Sequence, residues 1–216
     1  MTKLLLIGTV HLDPDGYQQL LSLLGTKKPE TITVDVSHYA LDFRKMIGVD
    51  LARQLTPFRL DDGSLPGALE TVAAQLETPF EYRAAEDYAE RSGARVVASG
   101  NNQQSRKLLA LFSKELMSLD NLVALAAKQE PDLGRQVERE WQRAHKQYKD
   151  PTRDSTTSER ISFGDKRLAK QIREYVQFDS VAHVGGWEHL WNLSELLVDL
   201  DPEVRLLNPS TRESPE

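Results

Sequence analysis

A chain of 216 residues, 39% hydrophobic and 28% charged, has the length and composition of one α/β core with a small helical insertion. Its net charge of −6 argues against a general nucleic-acid surface, and the absence of cysteine excludes disulfides, thiolate metal sites and cysteine nucleophiles. No apolar run approaches the ~18 residues of a membrane span. Leu4–Ile7 is too short for a signal-peptide core, so the expectation is a cytoplasmic protein with neither a nucleic-acid nor a membrane partner.

The chain opens on KLLLIGTVHL, Lys3 to Leu12. Residues 3–7 read as a buried parallel strand ending at Gly8, followed by Thr9, Val10 and His11. Asp13 and Pro14 suit a helix cap and first turn, with Tyr17, Leu20, Leu21 and Leu24 facing inward and Gly25 as the stop. Thr31–Val36, TITVDV, is β-branched and strand-like, completing a β-α-β unit and implying a parallel sheet.

Residues 40–55 have helical spacing, 69–76 continue it, and Phe80–Ser92 is a clearer helix capped by Gly93. Arg95–Ser99 is a third strand. From Gln103 to about Lys149 the pattern is helical and charge-rich, with an apolar stripe through Leu108, Leu111, Phe112, Leu119 and Leu122. Pro131 and Gly134 divide it into a helical hairpin inserted in the sheet domain. The stripe also offers a surface to a second copy, as in a homodimer.

Residues 150–158 are a polar loop, Asp165–Tyr175 a helix, Phe178–Val184 a strand, His189–Val198 a helix and Val204–Leu207 a last short strand. The prediction is one α/β domain over residues 1–207, with a mostly parallel central sheet flanked by helices, the insertion at about 103–149 and a disordered tail at 208–216.

The informative feature is an echo. Gly8-Thr9-Val10-His11-Leu12 returns as Gly186-Trp187-Glu188-His189-Leu190, each after an apolar run. A parallel strand that ends in glycine and turns toward a helix places its histidine at the carboxyl edge of the sheet, where open α/β folds bind ligands. The expectation is that both histidines face one cleft, with Gly8 and Gly186 forming ligand-binding corners. Near a helix N-terminus each imidazole would stay neutral, fit to act as a base or to ligate a cation.

Asp35, in the second strand, needs a partner if it is buried, so it is a candidate ligand or histidine-orienting residue; capping the strand end is its other reading. Glu188 adjoins His189, and His38 stands close enough to Asp35 to border the same cleft. His183 reads as a satisfied core histidine and His145 as a solvated one. Glu159-Arg160 precedes a helix, and its guanidinium could hold a carboxylate or steady developing negative charge.

Two Gly-x-x-His corners, an acid ending the second strand and a Glu-Arg before the penultimate helix together resemble the TraB/PrgY/TIKI superfamily, related more distantly to erythromycin esterase and ChaN-type haem-binding proteins. Glu81–Val97, EYRAAEDYAERSGARVV, is similar to the helix-strand unit midway through TraB-type domains. The resemblance implies a polar cleft lined by His11, Asp35, Glu159, Arg160 and His189. By analogy with the TIKI members it also implies metal-dependent hydrolysis of peptide or amide bonds, with manganese or cobalt held by His11 and His189, helped by Asp35 or Glu159. A non-catalytic binding protein for a small ligand, peptide or haem is the alternative. The chain departs from the family pattern at Asp35, where glutamate is usual. Its nearest following arginine is Arg44, and Ser99-Gly100-Asn101-Asn102 stands where an Asp-Arg is expected.

Overall fold

The computed structural model describes residues 3–128, 132–149 and 161–207. Five parallel strands run β1 (Leu4–Thr9), β2 (Thr31–Val34), β3 (Arg95–Ala98), β4 (Val181–Gly186) and β5 (Glu203–Leu206), in the spatial order β3-β2-β4-β1-β5. Every residue of β1 and β4 is buried, His183 and Thr9 included, which is why both are mostly apolar rather than alternating.

Helices cover both faces. On one lie α1 (Gly16–Lys27) and α5 (Phe80–Ser92), where Leu20, Leu24, Ala84 and Ala85 pack on Leu5, Ile7, Ile32 and Val184. On the other, Leu168, Ile172, Leu190 and Leu193 of helices Phe163–Val176 and Trp187–Leu196 pack on Leu4, Leu6 and Val181. Chain therefore leaves β1 for one face and the adjacent β4 for the opposite face. Neighbouring strands that part in this way open a crevice at their carboxyl ends.

The crossovers at that edge are helical. After β2 come α2 (His38–Phe43), a π-helical turn (Arg44–Gly48), α3 (Val49–Arg53) and α4 (Gly67–Leu76). After β3 come α6 (Asn102–Leu111), a second π turn (Phe112–Leu116) and α7 (Leu119–Ala126). The two sets share a core of their own, with Phe43, Leu55, Leu69 and Leu76 against Met117 and Leu122. The long helix α8 (Leu133–Lys149) instead sends Val137, Trp141 and Ala144 into the main core. The last two helices, introduced above, are α9 (Phe163–Val176) and α10 (Trp187–Leu196).

Several expected boundaries move. Asp13 does not cap α1; its carboxylate accepts from Trp141 Nε1 (2.9 Å) and from the Asp15 amide (3.0 Å), and the helix starts at Gly16. The helix runs through Gly25 and ends where Lys28 turns left-handed, its N–H bonded to Leu24 O. Asn102–Ala126 and Leu133–Lys149 are largely helical as expected; both halves touch α4, the second also packs on the sheet core, and along the stripe Leu122 is buried while Leu108, Leu111 and Leu119 are exposed. Phe178 lies outside the strand that was expected to include it, because β4 starts at Val181. Residues 150–160 and 208–216, including the polar loop, Glu159, Arg160 and the expected tail, lie outside the described residues. Among those described, no helix is long and apolar enough to cross a membrane.

Candidate functional site

The two Gly-x-x-His corners are side by side. In the β1–β4 ladder Gly8 pairs with Gly185 and Thr9 with Gly186, so both strands end at the same height. The chain beyond β1 turns through Leu12, a non-glycine residue at φ 65°, and holds His11 over the end of β4. His189 stands in the first turn of α10. Both rings line a cavity of about 1120 Å³ that also reaches Asp35, Glu81, Asp165 and Arg167.

Each histidine is held by a buried carboxylate. His11 Nδ1 lies 2.7 Å from Oε1 of Glu81, an acid 3% exposed in the first turn of α5. The same oxygen is 2.9 Å from the Thr9 hydroxyl, which also reaches Gly185 O at 3.1 Å. His189 Nδ1 lies 2.7 Å from Oδ1 of Asp165, 2% exposed in the first turn of α9. Asp165 Oδ2 accepts from Asn192 Nδ2 (2.9 Å) and the Ser162 amide (2.9 Å), while Ser162 Oγ accepts from the Asp165 amide, closing a capping box. An acceptor at Nδ1 fixes the tautomer and leaves Nε2 as the working nitrogen of each uncharged ring.

The electrostatics tie the cluster together. Enclosure by protein opposes protonation of His11, although the ring faces the open cavity. The Glu81 hydrogen bond and the charges of Glu81, Glu188 and Asp35 outweigh that effect and raise its pKa. The helix-terminus argument for a neutral His11 is thereby overturned: α1 starts too far along the chain to act on the ring, and a carboxylate is in contact with it. Burial also opposes ionisation of Asp165, but its hydrogen bonds from Ser162, Asn192 and His189 prevail and hold the carboxyl below the usual range.

His183 is buried beneath this floor. Its Nδ1 is 2.9 Å from Thr33 Oγ1, but Nε2 has no partner, unlike the satisfied core histidine expected from the sequence. Burial lowers its pKa to about 4, against the pull of Asp35, with His189 pushing the same way as burial. Asp35 lies just past the end of β2, half-buried on the cavity wall, and its charge acts on both His11 and His183.

The glycines do a different job from the one expected. A methyl group at Gly8 would lie 2.9 Å from Leu190 Cδ2 and 3.2 Å from Trp187 Cα, so this glycine lets α10 close on β1. At Gly186 it would lie 2.7 Å from Glu188 Oε2 and 2.9 Å from His11 Nε2, so the exposed Glu188 side chain brings its carboxylate toward the His11 ring. Gly185, not Gly8 or Gly186, lines the cavity. His38 borders an adjoining cavity of about 730 Å³ instead, and His145 stacks 5.6 Å from Trp141. Arg44 does reach the main cavity.

A scan against protein-family models and searches of curated proteins and of solved structures find no match for this chain. The site therefore rests on its own geometry.

Glu81, Asp165 and Arg167 were not singled out from the sequence, yet two of them carried a readable signal. Glu81 is followed at +3, +4 and +7 by Ala84, Ala85 and Tyr88, and Asp165 by Leu168, Ala169 and Ile172, all buried. A carboxylate in register with the buried face of its helix must find a donor. Among the described residues, no three His, Asp or Glu side chains stand close enough together to hold a metal ion. His11, Asp35 and His189 share the cavity without forming such a ligand set.

Proposed function

We propose that this chain is a hydrolase of peptide or amide bonds, working in the crevice between β1 and β4 with two histidine–carboxylate pairs as its acid and base. The supporting observation is that pairing: two imidazoles, each fixed through Nδ1 by a buried carboxylate, with both rings on one cavity. The resemblance to the TraB/PrgY/TIKI superfamily points the same way.

In this reading, His189 Nε2, backed by Asp165, takes the proton of the attacking water. His11, with its pKa raised by Glu81, is the better acid and delivers a proton to the departing amine. Asp35 lines the same cavity as a carboxylate able to orient the water, and Arg167, which also lines it, can steady negative charge on the carbonyl oxygen. The test is cleavage of a peptide library by the full chain and by His11→Asn and His189→Asn. Activity in the wild type and a loss of about 10²–10⁴-fold in each variant support the reading; equal rates in all three end it.

A divalent cation, manganese or cobalt, is a second reading. It is supported by the carboxylate at each Nδ1, the arrangement that commonly orients metal-bound imidazoles. The present spacing of His11, Asp35 and His189 does not fit a cation, so no catalytic step is assigned to one. Plasma emission spectroscopy of wild type and His11→Ala decides it: metal content that is lost with His11 favours the cation. Stabilisation by haem or peptides without turnover would favour a binding protein.

A further inference from the structure

The fold treats the acids and the bases of this cavity unequally. Four carboxylates on its wall are already engaged: Glu81 and Asp165 with histidines, Asp13 with Trp141 Nε1, and Glu70 Oε2 with the Leu133 amide at 3.1 Å. Its arginines are not neutralised in this way. Arg44, Arg59 and Arg83 line both the main cavity and the adjoining one, so they mark the junction between the two. Among the described residues none of the three forms an ion pair with a carboxylate.

The contacts they do make leave the positive charge uncompensated. Arg44 donates to the main-chain carbonyls of Ala40 (3.0 Å) and Gln75 (3.1 Å), and Arg59 to that of Gly63 (2.5 Å). Arg83 stands 5.7 Å over the Tyr17 ring. Carbonyl oxygens satisfy N–H groups but supply no net negative charge. Arg44 is half-buried and desolvated enough that its pKa falls, with only the more distant Glu81 acting to raise it. A second sign lies across the same cavity, where Arg167 Nε is buried with no acceptor. Glu77 also lines both cavities, and Asp42 and Glu86 the adjoining one, yet among the described residues none of these carboxylates closes to an ion pair with Arg44, Arg59 or Arg83.

We propose that the junction of the two cavities is an anion subsite: the substrate carries a carboxylate or phosphate group that the Arg44, Arg59 and Arg83 guanidiniums grip while the scissile bond lies at His11 and His189. The planar guanidinium fork matches either group. The inference rests on the hydrolase reading for the position of the scissile bond but not for the anion site itself.

Isothermal titration of the full chain with glutarate and with inorganic phosphate tests it and separates the two sources. At least one probe should bind, and more weakly as salt rises. Arg59→Gln/Arg83→Gln removes two exposed side chains and should weaken that binding about tenfold or more; Arg44→Gln should do the same if it folds. His11→Asn should bind the probe as the wild type does. Glutarate alone binding identifies a carboxylate subsite, and phosphate alone a phosphate subsite. No binding of either probe at millimolar concentration, or equal binding by wild type and the double variant, overturns the proposal. Hydrolysis of uncharged peptides without anion binding would overturn the subsite and spare the hydrolase; anion binding in a protein that cleaves no peptide would do the reverse.

Discussion

Glu81 and His11 meet at 2.7 Å although 70 positions separate them in sequence, and their contact fastens the loop after β1 to the first turn of α5. Glu81→Gln keeps the size of the side chain and removes its charge. The His11 pKa should then fall, because burial, which already opposes protonation, is left with only the weaker pull of Glu188 and Asp35. A proton NMR titration of the His11 ring reads the change directly. An unmoved titration curve would show that Glu81 does not set the charge of His11.

The same pair predicts a pH dependence of stability. The folded-state pKa of His11 is above its unfolded value near 6.5, so its contribution is full below that pH and is lost as pH rises through the folded pKa. The stability gap between wild type and Glu81→Gln should therefore be widest below pH 6.5 and narrow on the alkaline side. Urea denaturation in a series of buffers checks it; a gap that widens with rising pH contradicts the assignment.

Gly8 and Gly186 should separate stability from activity. A methyl at Gly8 meets the backbone of Trp187 as well as the tip of Leu190, and backbone cannot move aside cheaply. Gly8→Ala should cost about 1–3 kcal/mol of stability, as overpacking does. A methyl at Gly186 meets the far ends of Glu188 and the His11 ring, both of which can turn toward the cavity. Gly186→Ala should keep most of its thermal stability while displacing His11 and lowering peptide cleavage. Equal losses of melting temperature in the two variants would contradict this division.

Much of the sheet was legible because its strands are simple. Leu4–Ile7 and TITV are buried on both faces and need no partner to be recognised, and the glycine-histidine echo correctly pointed to two strand ends that prove to be register partners. The acids that hold the histidines were less visible because each belongs to a helix remote in sequence. In Phe80–Ser92 the acidic Glu81 is more buried than the aromatic Tyr82 beside it, so hydrophobicity alone misplaces the inward face there. The junction of the cavities could not be read at all. Its arginines come from the turn after α2, the loop before α4, and α5, brought together by tertiary contacts that no local periodicity encodes.

Asp165 supports two structures at once, the cap of α9 and the orientation of His189. Asp165→Asn retains one acceptor oxygen but loses the charge that strengthens the bonds from Ser162, Asn192 and His189. The expected loss is about 1–3 kcal/mol at pH 7, in the range of a charge-assisted hydrogen bond or a helix cap. The folded carboxyl titrates below its unfolded value, so its contribution is present above about pH 4 and disappears as pH falls through the folded pKa. Wild type and variant should converge in strong acid. A constant difference from neutral pH to strong acid would mean that the carboxylate charge contributes nothing.

His183 gives the opposite slope to His11, and the two can be told apart by their windows. Its Nε2 has no partner, its ring is buried, and its pKa lies at about 4. Between that value and the unfolded value near 6.5, the unfolded chain binds a proton that the folded chain refuses, so stability should fall as pH drops through this window. His183→Gln keeps a polar group near Thr33 Oγ1 and does not titrate. Subtracting its unfolding free energies from those of the wild type removes the shared carboxylate background. The difference should slope with pH by an amount approaching one proton between about 4 and 6.5 and flatten above. A flat difference throughout would mean that the ring accepts its proton as readily in the folded protein as out of it. The floor beneath Gly185 and Asp35 would then be wetter than the packing of β2 against β4 implies.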